Sequence, residues 1–208
     1  GAGPFPSVVL IHHMPGWDEA SKEMARKLAF HGFATISPDL HYRERPSPDA
    51  SHADVSAAVR DAGGVPDARC IGDVEGAVDY LRSLPYPNGK VGVIGYCSGG
   101  RQVYLVACNI PSLAAAVDCY GGRVIPDELT TAMPKAVIDM IPDLGCPLMG
   151  LFGESDGNPN PEHVARLEAE VKKHNKEYEF HSYPADTGHG FFADYRPSYR
   201  QEAAVDGW

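Results

Sequence analysis

Apolar residues along this chain form short runs that alternate with amphipathic stretches. Apolar runs of strand length predict strands over 7–12, 34–37, 91–96, 114–120 and 147–152, and an alternating pattern predicts a last strand over 178–183. Apolar positions at helical spacing predict helices over 19–31, 73–84 and 161–174, and another helix follows residue 97. Strands that alternate with helices imply right-handed crossovers and a mostly parallel sheet covered by helices on both faces. The pattern therefore predicts a doubly wound α/β fold, formed by residues 1–208 as a single domain.

The segment 40–66 interrupts this alternation. Proline and glycine recur among its charged residues, at positions 46, 48, 63, 64 and 66. We therefore expect an irregular loop insertion over 40–66. A loop of this length in a compact domain is often functional. Two interpretations remain equally open, a partial cover over a site and a plain surface excursion.

The stretch 91–100, VGVIGYCSGG, joins a predicted strand to a glycine-rich turn. Gly95 and Gly99 stand two residues before and after Cys97, a spacing that allows a sharp turn from strand to helix with the middle side chain projecting from the sheet. This is the pattern of a nucleophile elbow, with cysteine where serine is usual. Centred one residue later, the pattern would need glycine at 96, where tyrosine stands. Cys97 is therefore the candidate nucleophile.

A helix that begins after Cys97 would direct free N–H groups and a partial positive charge at its sulfur, which favours the thiolate. The backbone N–H of Ser98 would then face a tetrahedral oxyanion. The alternative is a buried, inert cysteine beside glycines that only permit close packing. The motif alone does not decide between these two interpretations.

Two polar residues follow later strands of the predicted sheet. Asp156 comes after the strand 147–152 and His189 after the strand 178–183. Because the chemistry of such sheets gathers at the carboxyl ends of the strands, we expect both residues near Cys97. The chain order nucleophile, acid, histidine is that of the α/β-hydrolase arrangement. Glu154 is the nearest competitor for the role of the acid.

These residues predict a triad of defined roles. His189 would take the thiol proton and later protonate the leaving alkoxide, while Asp156 would fix the imidazole tautomer. Cys97 would attack an ester carbonyl and form a thioester that water hydrolyses. The backbone N–H of Met14 is the expected second oxyanion donor, because Pro15 has none. His12 and His13 are adjacent and so are poorly placed to chelate one metal ion, and we predict no metal site.

Composition limits the class of partner. Lys and Arg number 18 against 28 Asp and Glu, a net charge of −10, which argues against nucleic acid or an anionic membrane as a partner. No apolar run reaches the ~18 residues of a membrane span, and no signal peptide is visible. The 5 cysteines are scattered, without a C-x-x-C pair or a metal-ligand spacing, which is typical of reduced thiols in the cytoplasm.

A family resemblance emerges from these motifs together. The elbow GYCSGG at 95–100, the preceding PNGKVG at 87–92, Gly153-x-x-Asp156 and His189-Gly-Phe191 resemble the dienelactone hydrolase family, the carboxymethylenebutenolidases, from about residue 8 to residue 192. The resemblance implies an α/β-hydrolase fold without a large lid domain, a triad of Cys97, His189 and Asp156, and no cofactor. It also implies hydrolysis of an enol lactone.

The chain departs from the pattern of this family at several positions. His13 stands where the family has a glutamate that interacts with the resting thiol, and an arginine expected shortly after the catalytic histidine is replaced by Phe-Ala-Asp. The resemblance leaves His13, Arg123 and Phe191 as candidates for substrate binding, and Arg60, Arg69 and Arg101 as further possible clamps for a carboxylate. The family also implies further elements at both ends, so we expect a longer natural chain.

The sequence thus predicts a cysteine-dependent hydrolase of a small ester or lactone, acting as a monomer or a small homo-oligomer. One alternative is a general carboxylesterase of the same fold. The other is a non-catalytic binding protein whose thiol is vestigial or senses redox state, since sensor thiols are also acidic.

Overall fold

The computed structural model describes residues 3–208. Six strands form one sheet in the order β2-β1-β3-β4-β5-β6, and each neighbouring pair is parallel. The strands are β1 (Phe5–Ile11), β2 (Ala34–Ile36), β3 (Pro87–Tyr96), β4 (Ala116–Cys119), β5 (Leu148–Gly153) and β6 (Tyr178–Tyr183). Since the strands are parallel, their carboxyl ends lie along one edge of the sheet.

Helices connect the strands and cover both faces of the sheet. They are α1 (Glu19–Phe30), α2 (His52–Asp61), α3 (Asp67–Ser83), α4 (Ser98–Asn109), α5 (Pro161–Lys173) and α6 (Gln201–Asp206), with short 3₁₀ turns at Tyr42–Glu44 and Val137–Asp143. No segment within residues 3–208 forms a large lid domain. The same residues contain no helix that is long and apolar enough to cross a membrane.

The sheet separates two hydrophobic cores. Along β1, Val9 and Ile11 face a core that contains Val78 of α3, whereas Val8 and Leu10 face a core that contains Leu28 of α1. Successive side chains of a strand point to opposite faces, so a strand buried on both sides is apolar throughout. This arrangement explains the continuous apolar runs of the sequence and confirms the predicted doubly wound α/β fold.

The predicted irregular loop over 40–66 is wrong in its second half. Residues His52–Asp61 form α2, and Ser51 and Asp54 close its first turn with a reciprocal capping box. The prolines and glycines that suggested a loop lie outside this helix. Val55 and Val59, four residues apart, bury its apolar side. The next helix also begins earlier than predicted, at Asp67 instead of residue 73.

Candidate active site

Cys97 occupies a sharp turn between the end of β3 and the start of α4. Its backbone has φ 58° and ψ −116°, outside the regions that most side chains prefer. The Cys97 N–H donates to the carbonyl of Cys119 at 3.0 Å, and the Gly100 N–H donates to the carbonyl of Cys97 at 3.0 Å. These bonds hold the strained residue between two strands and a helix, as expected for a nucleophile elbow.

Glycine is required on both sides of this turn. A Cβ at Gly95 would collide with the carbonyl of Gly99, and a Cβ at Gly99 would collide with the carbonyls of Ile11 and His12. The first turn of α4 therefore lies directly against the ends of β1 and β3. This close approach fixes the start of α4, whose first residue, Ser98, directly follows Cys97.

Asp156 and His189 meet beyond the ends of β5 and β6. The Nδ1 atom of His189 lies 2.8 Å from Oδ2 of Asp156, whose side chain is buried, and Oδ1 of Asp156 accepts a hydrogen bond from the N–H of Asn158 at 2.8 Å. Glu154 is exposed and has no such contact with His189 within residues 3–208. Asp156, and not Glu154, is therefore the carboxylate in contact with the imidazole.

The thiol and the imidazole shift each other's protonation. Burial alone would raise the pKa of Cys97, but His189 and the backbone N–H groups of Ser98 and Met14 outweigh it and lower that pKa below its usual value. Burial alone would lower the pKa of His189, but its interactions with Asp156 and Cys97 raise it to about 10. Each group thus favours the charged form of the other.

Since Asp156 binds Nδ1, the Nε2 atom of His189 is the ring nitrogen available to exchange a proton with Cys97. No hydrogen bond of standard length and angle joins Nε2 to the sulfur in the described part of the chain. Catalytic hydrogen bonds often tighten only when substrate is bound.

Both backbone groups expected to act as oxyanion donors lower the pKa of the Cys97 thiol. The backbone N–H groups of Ser98, at the start of α4, and of Met14, in the loop after β1, both act on the Cys97 thiolate. An oxygen held between them would carry its negative charge beside two fixed dipoles.

The candidates for substrate binding lie in three different environments. Nε2 of His13 is bound to Asp18 at 2.8 Å, so its ring is tied to the residue that caps α1. Arg123 is exposed, has a positive φ of 60°, and its backbone N–H donates to Oδ1 of Asn158 at 3.0 Å. Their roles in substrate binding stay predictions.

Direct contact between Phe191 and a substrate is contradicted by its position. Phe191 is 0% exposed and packs in an aromatic cluster against Tyr120, Tyr183 and Phe192. Its ring therefore supports the loop that carries His189. The loop position suggested a binding role, because the sequence does not reveal which way the side chain points.

Several residues of the site had no signal in the sequence. The ring of Tyr120, just after β4, lies 5.1 Å from the ring of His189, edge to face. Asp18 binds His13, and the hydroxyl oxygen of Ser56 in α2 lies 2.9 Å from the carbonyl oxygen of Met14 and 2.7 Å from that of His52. These contacts join distant parts of the chain, so no local pattern could have predicted them.

Metal-binding clusters are absent from residues 3–208, where no group of three or more His, Cys, Asp or Glu side chains could hold an ion. In particular, both ring nitrogens of His12 are engaged by backbone groups, the carbonyl of His13 and the N–H of Leu40.

A sequence model of the dienelactone hydrolase family matches residues 1–208. The chain is 34% identical over 208 residues to a Yersinia pestis protein provisionally named carboxymethylenebutenolidase, covering 99% of this chain and 76% of that protein. It is 28% identical to a Bradyrhizobium protein provisionally named 2-oxo-3-(5-oxofuran-2-ylidene)propanoate lactonase, covering 99% of this chain and 81% of that protein.

A solved structure also resembles this chain. A crystal structure from Klebsiella pneumoniae, provisionally named dienelactone hydrolase, superposes with a TM-score of 0.89 at 29% identity. The match covers 100% of this chain and 85% of that one.

Proposed function

This chain belongs to the dienelactone hydrolase family and is a carboxymethylenebutenolidase-like hydrolase of esters or lactones, and we propose that it acts through a Cys97–His189–Asp156 triad and a thioester intermediate. One observation carries the proposal. The Asp156–His189 pair, joined at 2.8 Å, adjoins a thiol whose pKa is lowered by that same histidine and by two backbone N–H groups.

Acylation begins when the Cys97 thiolate adds to the carbonyl carbon of the substrate. The C=O electron pair moves onto oxygen, and the N–H groups of Met14 and Ser98 stabilise the resulting oxyanion. When the intermediate collapses, the bond between the acyl carbon and the ester oxygen breaks. Nε2–H of His189 gives its proton to that leaving oxygen, which leaves an acyl group on the sulfur.

Deacylation uses the same groups in reverse. His189, now neutral, takes a proton from water as the water attacks the thioester carbon. A second oxyanion forms in the same hole, and its collapse releases the carboxylic acid and restores the thiolate beside the imidazolium. Asp156 holds Nδ1 throughout, so that Nε2 stays directed at the reacting atoms.

Among esters, a lactone is the favoured class of substrate. The Bradyrhizobium relative is provisionally named a lactonase for a furan-derived oxo acid, and the Yersinia relative a carboxymethylenebutenolidase. Substrates of that kind carry a carboxylate, which a cationic side chain near the site would bind.

Arg123 is the candidate for that cation. Arg69 is paired with Glu44 at 2.6 Å and Arg101 with Asp67 at 2.7 Å, whereas Arg123 is exposed and has no ion-pair partner within residues 3–208. Its backbone is bound to Asn158, two residues beyond Asp156. The bond keeps Arg123 next to the loop of the catalytic acid.

Steady-state hydrolysis tests this function. Wild type, Cys97→Ala and the control Cys108→Ala are compared on a panel of lactones, including a dienelactone, and simple esters. Cys108 is a fitting control because it is a partly exposed thiol whose pKa burial raises to about 12, so it is not nucleophilic. We expect dienelactone turnover that disappears in Cys97→Ala and persists in Cys108→Ala.

Two other outcomes would change the proposal. Turnover of simple esters alone, still dependent on Cys97, would keep the mechanism and identify a general carboxylesterase. Turnover of no substrate by the wild type would favour the binding or redox-sensing alternative.

A further inference from the structure

His12 lies at the end of β1 and is 1% exposed. Its Nε2 atom lies 3.1 Å from the backbone nitrogen of Leu40, and its Nδ1 atom lies 2.9 Å from the carbonyl oxygen of His13. A backbone N–H can only donate, so Nε2 must be the unprotonated nitrogen. Nδ1 therefore carries the proton and donates it to His13. The two contacts fix a neutral ring in one tautomer.

Burial agrees with this protonation state. It lowers the pKa of His12, because removing a charged ring from water outweighs the stabilising effects of the His13 carbonyl and of Asp39. Asp39, the acidic group nearest to the ring, lies 3.9 Å from Nε2, beyond hydrogen-bond distance.

The carbonyl that His12 holds belongs to the peptide unit that supplies an oxyanion donor. The oxygen of His13 accepts from Nδ1 of His12 at 2.9 Å and from the N–H of Gly16 at 2.9 Å. In a trans peptide the C=O and the following N–H point in opposite directions. Holding the oxygen of His13 on the side of His12 therefore turns the N–H of Met14 the other way, towards the sulfur of Cys97, whose pKa that N–H lowers.

We propose that His12 is a positioning residue for the oxyanion hole, in which the imidazole, held at Nε2 by Leu40, fixes the His13–Met14 peptide with its N–H aimed at the sulfur of Cys97 and at the oxyanion. The part concerning the oxyanion rests on the proposed function. The part concerning the thiol does not, because it acts on the resting enzyme.

The chain offers a matched pair of variants and a control. In His12→Phe the ring loses both hydrogen bonds. In His12→Gln the side-chain amide keeps one donor and one acceptor. His41→Phe is the control, because the His41 ring lies 4.6 Å from that of His12, is equally buried, and its Nδ1 has no hydrogen-bond partner within residues 3–208.

The first readout needs no substrate. The rate of alkylation by iodoacetamide is followed against pH, and its midpoint reports the ionisation of Cys97. We expect His12→Phe to raise that midpoint by about one pH unit, since one hydrogen bond to the thiolate is lost. His12→Gln should restore most of the shift, and His41→Phe should cause none.

The second readout is turnover. His12→Phe should lower kcat at least about tenfold, towards the 10²–10³-fold loss typical of a missing oxyanion donor, with KM little changed. A folded His12→Phe protein with the wild-type alkylation midpoint and the wild-type kcat would overturn the proposal. An altered midpoint in a protein that hydrolyses no ester would support the role of His12 while refuting the hydrolase.

A measurement on the wild type covers the case in which the variants do not fold. ¹⁵N shifts of the histidine rings at neutral pH should show His12 neutral and protonated on Nδ1. An imidazolium, or a ring protonated on Nε2, would contradict the proposal, because neither form can accept from Leu40 while donating to His13.

Discussion

Burial and hydrogen bonds give similar side chains of this protein different roles. Asp156 and Glu154 stand two residues apart after β5, yet the first is buried against His189 and the second is exposed. Cys97 and Cys108 are both partly exposed, yet the pKa of Cys97 is lowered by His189 and that of Cys108 is raised by burial. Environment, more than residue type, assigns the chemistry.

The two acids give a direct comparison. Asp156→Asn removes the charge that stabilises the imidazolium and selects the wrong tautomer, so we expect kcat to fall by about 10²–10⁴-fold. Glu154→Gln should leave kcat within about twofold, because its side chain is exposed. Steady-state kinetics of both variants, with circular dichroism to verify folding, make the test. Equal losses in the two variants would leave Asp156 without a special role.

The buried carboxyl of Asp118 should make the stability of the folded state depend on pH. It is fully buried, its Oδ1 accepts from the N–H of Gly121 at 2.7 Å, and Tyr104 lies beside it outside ordinary hydrogen-bond geometry. Burial raises the pKa of Asp118 from 3.8 to about 7. The folded state therefore binds more protons than the unfolded state between these values, and its stability falls as the pH rises through that range.

Asp118→Asn should remove this loss of stability at higher pH. The amide keeps an acceptor for Gly121 and cannot ionise. Melting temperatures at about pH 5 and about pH 8 should differ less in the variant than in the wild type. An identical pH dependence in both proteins would show that Asp118 does not titrate in this range.

The sequence predicts those helices, strands and turns whose formation depends on local patterns of residues. Strands buried on both faces produce continuous apolar runs, so the strands were predicted within a few residues of their observed bounds. Cys97 was predictable because the glycines of the elbow are a local requirement. The helix α2 was missed because the prolines and glycines around it obscured a capped turn at Ser51. The roles of Phe191 and His12 depend on tertiary contacts, which no local pattern contains.

Two glycine substitutions test the packing of the elbow. Gly99→Ala inserts a Cβ against the backbone carbonyls of Ile11 and His12, so we expect a destabilisation of about 1–3 kcal/mol or more, and loss of turnover as α4 shifts. Gly76→Ala, in the middle of α3 with no atom within 4 Å of the new Cβ, should stabilise the protein by about 0.5–1 kcal/mol. Urea denaturation measures both changes. Tolerance of alanine at position 99 would contradict the tight elbow.

At the scale of the whole molecule, charge limits how an anionic substrate can bind. The net charge of −10 disfavours the approach of a carboxylate, so a local cation must compensate. Two of the four arginines considered as clamps are held in bidentate pairs, Arg69 with Glu44 and Arg101 with Asp67. Arg123 keeps its guanidinium exposed at the carboxyl edge of the sheet.

Arg123→Met should weaken the binding of substrates that carry a carboxylate and leave the binding of neutral substrates unchanged. We expect KM for a lactone that carries a carboxylate to rise by about tenfold, and KM for a neutral ester to stay unchanged. Arg60→Met, which removes another exposed arginine from α2, is the control for net charge. An equal rise in KM for both substrates, or an equal effect of Arg60→Met, would exclude Arg123 as the clamp.

A covalent acyl group on Cys97 would distinguish the thioester mechanism from all others proposed for this site. Wild-type enzyme is mixed with a simple activated ester, quenched in acid within milliseconds, and measured by intact mass and peptide mapping, with Cys97→Ala and Cys108→Ala in parallel. We predict a mass increase equal to the acyl group, located on Cys97, released by hydroxylamine, present in Cys108→Ala and absent in Cys97→Ala. An acyl group on any other residue, or full turnover by Cys97→Ala, would contradict the thioester mechanism.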